Sequence, residues 1–343
     1  MSRRALTLLL AGVLAVGLTL TAAVARVPYV ALGPGPTYDT LGKVDSGDPV
    51  LLIEGRRTYP TDGHLDLTTV GVQPRLTLAQ ALRGWFSRDL AVVPREVVFP
   101  AGRTDEEVDA ENAAAMEASQ SDAIGAAAQE LGLRPVVSVQ ELTEGSAARG
   151  RLEPGDVLTA VDGDAIADAA ELRERISSRK PGEAVRVTIT RDGRTSTVEI
   201  VTAASTDDSA RAVIGVLTKE RYPLDVTIQL EDVGGPSAGL MFALGILDKL
   251  GPESLTAGKH IAGTGEIKPD GTVGPIGGIA QKLIAAKRKG AVAFLVPEDN
   301  CAEAAASDPP DGLTLVRVGT LDEALDGLAA LRAGKRPAEC AAA

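Results

Sequence analysis

Histidine, cysteine and aromatic side chains are all scarce in this chain of 343 residues. The histidines are His64 and His260, the cysteines Cys301 and Cys340, and Phe, Trp and Tyr together make up 3%. Two distant cysteines give neither metal-ligand spacing nor a disulfide framework, and Cys340 falls in a polar, alanine-rich tail where pairing is not expected. Two histidines without an evident Asp partner disfavour a Ser-His-Asp hydrolase. With few aromatics the core must be built from Ala, Val, Leu and Ile, within an ordinary composition of 44% hydrophobic and 24% charged residues. Clustered positive charge is also missing. The net charge is −12, the basic run Lys287-Arg288-Lys289 is short, and no nucleic-acid partner is expected. The P-loop pattern GxxxxGKS or GxxxxGKT occurs nowhere. No cofactor and no metal is called for.

One long hydrophobic run is present. After Arg3 and Arg4, residues Ala5 to Ala25 carry no charge, a length that suffices for a membrane-spanning helix. Arginines held in the cytoplasm would place everything after Arg26 outside. The expectation is a single-pass cell-membrane protein with a cytoplasmic N-terminus. A cleaved signal peptide is the alternative, because Ala23-Val24-Ala25 fits a cleavage site; both readings export the rest of the chain.

The length suggests two or three domains. The expected divisions are an anchor (1–26), a strand and helix region (27–120), a β-rich unit (121–205), a second unit (212–332) and a disordered tail (333–343). Region 27–120 is either a βαβ-like start of a domain or a set of strands that join a later sheet. Thr104 to Glu107 reads as a capping box opening a helix to about Gln120, with a second helix from Ser121 to Gly132. Alternating runs then flank the turn Asp192-Gly193 as a hairpin, after a helix from about Asp168 to Ser178.

The unit 121–205 resembles a PDZ domain of the bacterial kind, on Gly145-Ser146-Ala147-Ala148, Leu152-Glu153-Pro154-Gly155-Asp156-Val157-Leu158 and Val161-Asp162-Gly163. The resemblance implies that a peptide C-terminus adds as a strand to a sheet edge, its carboxylate held by backbone N–H groups. The matching loop would be Leu131-Gly132-Leu133, the edge Arg134 to Leu142, and the far wall the helix from Asp168. Gly132 also reads as a plain helix-stop glycine.

In the second unit, Ser237 lies in "LEDVGGPSAGLMFALGILDKL", between the strand "VTIQL" and an apolar helix. Free N–H groups at the helix start, with Gly234 and Gly235 beside them, suit an oxyanion. Serine there is equally a helix N-cap, and a Gly-rich loop before a helix also suits phosphate. A base is available further on. Lys282 shares a helix face with Ala285 and Ala286, and burial there would lower its pKa from about 10.4. The alternative is a snorkelling surface lysine.

"GGPSAGLMFAL", "GTGEI", "GTVGPIGGIAQKLIAAKRKGA" and "FLVPEDN" together resemble the proteolytic domain of the Lon family, the serine-lysine peptidases. The resemblance implies Ser237 as nucleophile, Lys282 as general base, Thr264 as a residue that positions the lysine, and backbone N–H groups near Gly235 and Ser237 as the oxyanion hole. Cytosolic Lon has an acidic residue where this chain has Gly234. The whole order resembles the bacterial membrane-anchored, PDZ-containing Lon-like proteases. It implies an α+β fold: an N-terminal transmembrane helix, a PDZ domain and a proteolytic domain of the ribosomal protein S5 domain 2-like type. The function implied is an ATP-independent endopeptidase, anchored in the membrane with its catalytic domain extracytoplasmic, that cuts proteins or peptides; hexamers are implied by resemblance alone. Two rivals stand beside it, a catalytically silent PDZ scaffold and a small-molecule kinase. His260 reads as structural, and Asn300 as a cap for the helix that contains Cys301.

Overall fold

Alternating β-branched and small residues from both ends of the chain build one mixed six-stranded sheet. A computed structural model describes residues 3–341, except 45, 231 and 232. The α-helices among the described residues are α1 (Arg3–Val24), α2 (Leu78–Trp85), α3 (Asp105–Glu130), α4 (Ala169–Ser177), α5 (Gly239–Leu250), α6 (Ile279–Lys289), α7 (Cys301–Ala306) and α8 (Leu321–Arg332). Two compact units form, one of residues 1–126 with 226–343 and the other of 127–225.

In the first unit the strands run in the order Thr314–Val318, Ala293–Pro297, His260–Gly263, His64–Gln73, Tyr29–Asp39, Ala91–Pro94. The first four are mutually parallel and the last two pair antiparallel. The strands that precede α3 thus join the sheet of the C-terminal segment, the second of the two options open from sequence. Ala293–Pro297 is buried at every residue, as a central parallel strand covered on both faces should be. Ala262, Phe294 and Val296 from the sheet pack with Ile279, Leu283 and Ala286 of α6.

The second unit is an antiparallel sheet in the order Arg194–Val201, Ala184–Arg191, Val157–Val161, Val136–Leu142, Val216–Arg221. Leu172 and Ile176 of α4 bury against it beside Val137, Leu158, Val187 and Ile214. Asp192 and Gly193 both take positive φ, 47° and 75°, in the hairpin turn that their sequence signals.

Several expectations are corrected. Among the described residues no helix is long and apolar enough to cross a membrane. A span needs about 20 consecutive apolar residues. Within α1, Thr19 and Thr21 place hydroxyls among the apolar side chains and turn them back to the carbonyls of Ala15 and Gly17, so the helix is not apolar throughout. That finding overturns the N-terminal transmembrane helix, and with it the single-pass placement with a cytoplasmic N-terminus and an extracytoplasmic catalytic domain; residues 1 and 2 of the expected anchor lie outside the described residues. The capping box at Thr104 and Glu107 forms, but α3 continues through Ser121 as one helix of 26 residues, because nothing between Gln120 and Ser121 interrupts its backbone bonding. Cys301 and Cys340 form a disulfide. The tail is also tied by backbone bonds from Arg317 N to Ala338 O and from Cys340 N to Leu315 O, while residues 342 and 343 lie outside the described residues.

Candidate active site and peptide groove

Ser237 sits where a loop enters α5. The helix N-cap is Ala238, with no side-chain capping bond, so the Ser237 hydroxyl is not spent on the cap. It faces Lys282. Lys282 Nζ lies 2.8 Å from Ser237 Oγ and 2.8 Å from Thr264 Oγ1. Thr264 Oγ1 and Gly265 N both donate to the carbonyl oxygen of Ser237, each at 2.9 Å. Lys282 is 2% exposed and Thr264 fully buried. Burial pushes the Lys282 pKa down to about 7. Near neutrality a substantial fraction of this amine is uncharged and able to accept a proton.

The elements around the pair explain its placement. Lys282, Ala285 and Ala286 all lie on the buried face of α6, which starts from Gly278 in a left-handed conformation, φ 70°. A Cβ at Gly278 would stand 2.6 Å from Val70 Cγ2, so only glycine lets the helix approach the strand His64–Gln73 so closely. The preceding loop is gripped by Asn300, whose Oδ1 accepts from Ile276 N at 2.8 Å and whose Nδ2 donates to Ile276 O at 3.0 Å. Asn300 makes no side-chain capping bond to α7. Asn300 does stand at the N-cap position of α7, as expected, but its amide pairs with the loop that carries the lysine helix.

The serine loop is held from α3. Ser119 Oγ donates to Pro236 O at 2.8 Å, and Gly235 N donates to Asn112 O at 2.9 Å. Gly235 takes φ 85°, which suits glycine, but its N–H is committed to Asn112 and is not available to an oxyanion. The amides of Ser237 and Ala238, at the start of α5, make no hydrogen bond among the described residues. A cleft of about 460 Å³ opens over the pair, with Tyr38, Thr69, Val70, Pro236, Glu266 and Ile276 on its walls. Asn112, Ser119, Tyr38 and Val70 carry no motif, so sequence reading missed them.

Neither histidine approaches the serine. His64 Nδ1 lies 2.7 Å from Asp39 Oδ2 and His260 Nε2 lies 2.6 Å from Asp66 Oδ2. The aspartate partners that the sequence did not show therefore exist, without forming a Ser-His-Asp triad.

In the second unit the residues expected to hold a peptide are bonded within the fold. Leu131, Gly132 and Leu133 end α3, and their amides donate to Ala127 O, Gln129 O and Ala128 O. Gly132, at φ 70°, is a helix-stop glycine, and no free N–H group is left there to hold a carboxylate. The strand Val136–Leu142 is also interior, paired on one side with Val157–Val161 and on the other with Val216–Arg221. Arg194–Val201 is one edge of the sheet, and Val216–Arg221 the other. A groove of about 570 Å³ runs here, with Leu172, Arg173, Ile176, Arg211, Gly215 and Leu217 among its lining. Gly215 has φ 74°, and a Cβ there would lie 2.8 Å from Ser146 Cα. The signal in the sequence was Gly215 ahead of the alternating run Val216 to Arg221, which follows the polar stretch "TDDSAR".

One unit thus holds a buried lysine bonded to a half-buried serine beside a helix start, and the other an antiparallel sheet with an open edge groove. Each unit has a counterpart among known proteins. Residues 120–202 match the PDZ domain family and residues 229–330 match the Lon protease (S16) C-terminal proteolytic domain. Lon protease 2 of Bacillus subtilis is 37% identical over 124 residues, 34% of this chain and 22% of the relative. Lon protease 1 of Sorangium cellulosum is 43% identical over 95 residues, 26% of this chain and 11% of the relative. The chain thus spans about a fifth or less of the length of these relatives. Among solved structures, the PDZ domain of an SdrC-like protein from Listeria monocytogenes is 24% identical, with TM-score 0.22, over 24% of this chain and 85% of that one. Within a mixed α/β fold, residues 120–202 are therefore similar to a PDZ domain and residues 229–330 to the Lon C-terminal proteolytic domain.

Proposed function

We propose that the chain is an endopeptidase that cuts proteins or peptides with a Ser237–Lys282 dyad and needs no nucleotide to do so. The observation that carries this reading is the buried Lys282 amine within 2.8 Å of the Ser237 hydroxyl, with its pKa near 7. Neutral Lys282 takes the proton of Ser237 as Oγ attacks the substrate carbonyl. The resulting oxyanion is met by the unbonded amides at the start of α5. The lysine then gives its proton to the leaving amine, and the acyl-enzyme is hydrolysed by a water that the same lysine deprotonates. Thr264 holds the lysine between two hydroxyls. No P-loop occurs within the 343 residues, so unfolded or flexible segments are the substrates this reading expects.

Peptide capture falls to the groove beside Val216–Arg221. An extended peptide pairs there as a further antiparallel strand, over Leu172, Ile176 and Leu217, with its carboxylate at the loop that ends in Gly215, near Arg211 and Arg173. Full-length chain, Ser237→Ala and Lys282→Ala incubated with an unfolded protein in nucleotide-free buffer, with products read by mass spectrometry, test the proposal. Cleavage by the parent chain alone is expected. Equal cleavage by Ser237→Ala would sink it.

A further inference from the structure

The only two histidines of the chain occupy one rung of the large sheet. His64 and His260 are Cα partners in the parallel pairing of His64–Gln73 with His260–Gly263. Asp66 lies two residues beyond His64 and therefore on the same face. It is in turn the Cα partner of Asp39 on the antiparallel neighbour Tyr29–Asp39. Three adjacent strands thus bring two imidazoles and two carboxylates to one patch, although the four residues span 39 to 260 in sequence.

The side chains converge. Asp39 Oδ2 meets His64 Nδ1 at 2.7 Å, Asp66 Oδ2 meets His260 Nε2 at 2.6 Å, and the two imidazole rings lie 4.7 Å apart. The donor atoms of Asp39, His64 and Asp66 fall within 4.8 Å of one another. Asp39 is oriented by its backbone neighbours, since Oδ1 accepts from Leu41 N at 3.1 Å and from Leu65 N at 3.2 Å, which leaves Oδ2 for the patch. Asp66 supplies an independent signal. It has no exposure, and its Oδ1 has no hydrogen-bond partner among the described residues. A buried carboxylate oxygen without a donor is costly, and two carboxylates side by side add repulsion. A cation relieves both.

We propose that Asp39, His64, Asp66 and His260 form a site for a divalent transition cation of the zinc type. The donor set is two imidazole nitrogens and two carboxylate oxygens, which suits zinc better than magnesium or calcium, whose sites are built from oxygen alone. Tetrahedral binding at about 2.0–2.2 Å separates neighbouring donor atoms by about 3.3 Å, so the Asp39, His64 and Asp66 donors need only small shifts, while His260, bonded to Asp66, swings in as the fourth. His64 is 54% exposed, which gives the ion a route in. The ion would lock the register of His64–Gln73 against His260–Gly263, one residue before Thr264. This site does not rest on the peptidase reading, because neither histidine touches Ser237.

The test is isothermal titration of the chelator-treated full chain with zinc chloride, beside thermal unfolding with and without zinc. One equivalent binding at micromolar strength or tighter, with a raised unfolding temperature, is expected. His64→Ala, at an exposed position, and Asp39→Asn, which keeps an acceptor for the Leu41 and Leu65 amides, should each weaken binding at least about tenfold while retaining the unfolding temperature of the zinc-free parent. Absence of uptake by the parent would leave two hydrogen-bonded His-Asp pairs and overturn the site. So would uptake of several weak equivalents, or uptake that both variants retain.

Discussion

The Thr264 hydroxyl donates to the carbonyl oxygen of Ser237 at 2.9 Å, and this bond sets the direction in which protons run at the dyad. With its hydrogen spent there, Thr264 Oγ1 offers only lone pairs to Lys282 Nζ at 2.8 Å. An N–H of the amine therefore points at Thr264, and the lone pair of neutral Lys282 is left for the Ser237 hydroxyl. Thr264→Val keeps the shape and removes both bonds. Peptide hydrolysis should lose about 10²-fold in kcat with KM near the parent value, and Thr264→Ser should restore most of it. Parent-like kcat in Thr264→Val would reduce the threonine to packing.

The pH profile follows from Lys282. Its amine must be neutral to act, and burial pushes its pKa down to about 7. The kcat/KM of peptide hydrolysis should therefore rise about tenfold per pH unit below 7 and level off above it. A profile already flat from pH 5.5 upward, with the protein still folded, would remove Lys282 as the titrating base.

The proximity of Ser237 and Lys282 is legible because each sits in a local pattern. Ser237 follows Gly234-Gly235-Pro236 at a helix start, and Lys282 shares the small-residue face of α6 with Ala285 and Ala286. What sequence left out depends on pairing between distant segments. The strand Val216–Arg221 lies beyond a polar stretch that reads as a linker, so its place at the sheet edge beside Val136–Leu142 leaves no local signal. The Asp39 and Asp66 partners of the histidines come from sheet register, and the Cys301–Cys340 bridge from a tail bonded to Leu315 and Arg317, neither of which leaves a periodic signal. The uncharged run at the N-terminus was legible as a helix, and α1 is one. Its length and apolarity do not support the span read into it.

Lys282 also carries a stability prediction whose sign is fixed by its shift. The folded pKa, about 7, lies below the unfolded value of about 10.4, so between these limits the unfolded chain binds a proton that the folded chain does not. Stability falls as pH drops from about 10.4 toward 7 and loses no more below that. Lys282→Met removes this slope. Urea unfolding at pH 7 should show Met as stable as the parent or more so, by up to a few kcal/mol, with hydrolysis abolished. A variant that is strongly destabilised at pH 7 would mean that the bonds to Ser237 and Thr264 outweigh the burial cost.

The two glycines of the peptide unit separate the rival grooves. Gly215→Val puts a side chain against Ser146 and asks a β-branched residue to take φ 74°, so binding of a fluorescent C-terminal peptide should fall by at least about tenfold. Gly132→Ala meets open space at φ 70° and should cost about 1 kcal/mol of stability with peptide affinity unchanged. Fluorescence anisotropy on both variants decides, and the reverse pattern would return the site to the end of α3.

The disulfide gives the last prediction. Cys301 opens α7 directly after Asn300, which grips the loop ahead of the lysine helix, while Cys340 is bonded through its amide to Leu315. Closing a loop across 39 residues stabilises a fold by about 4 kcal/mol through the entropy of the unfolded chain. Reduction, or Cys340→Ser, should therefore lower the unfolding temperature by several degrees. The dyad itself is held by Asn300, Thr264 and α3, none of which needs the bridge to stay in place. Hydrolysis well below the new unfolding temperature should accordingly stay within about twofold of the parent, and a large loss of kcat there would show that the bridge also positions Asn300.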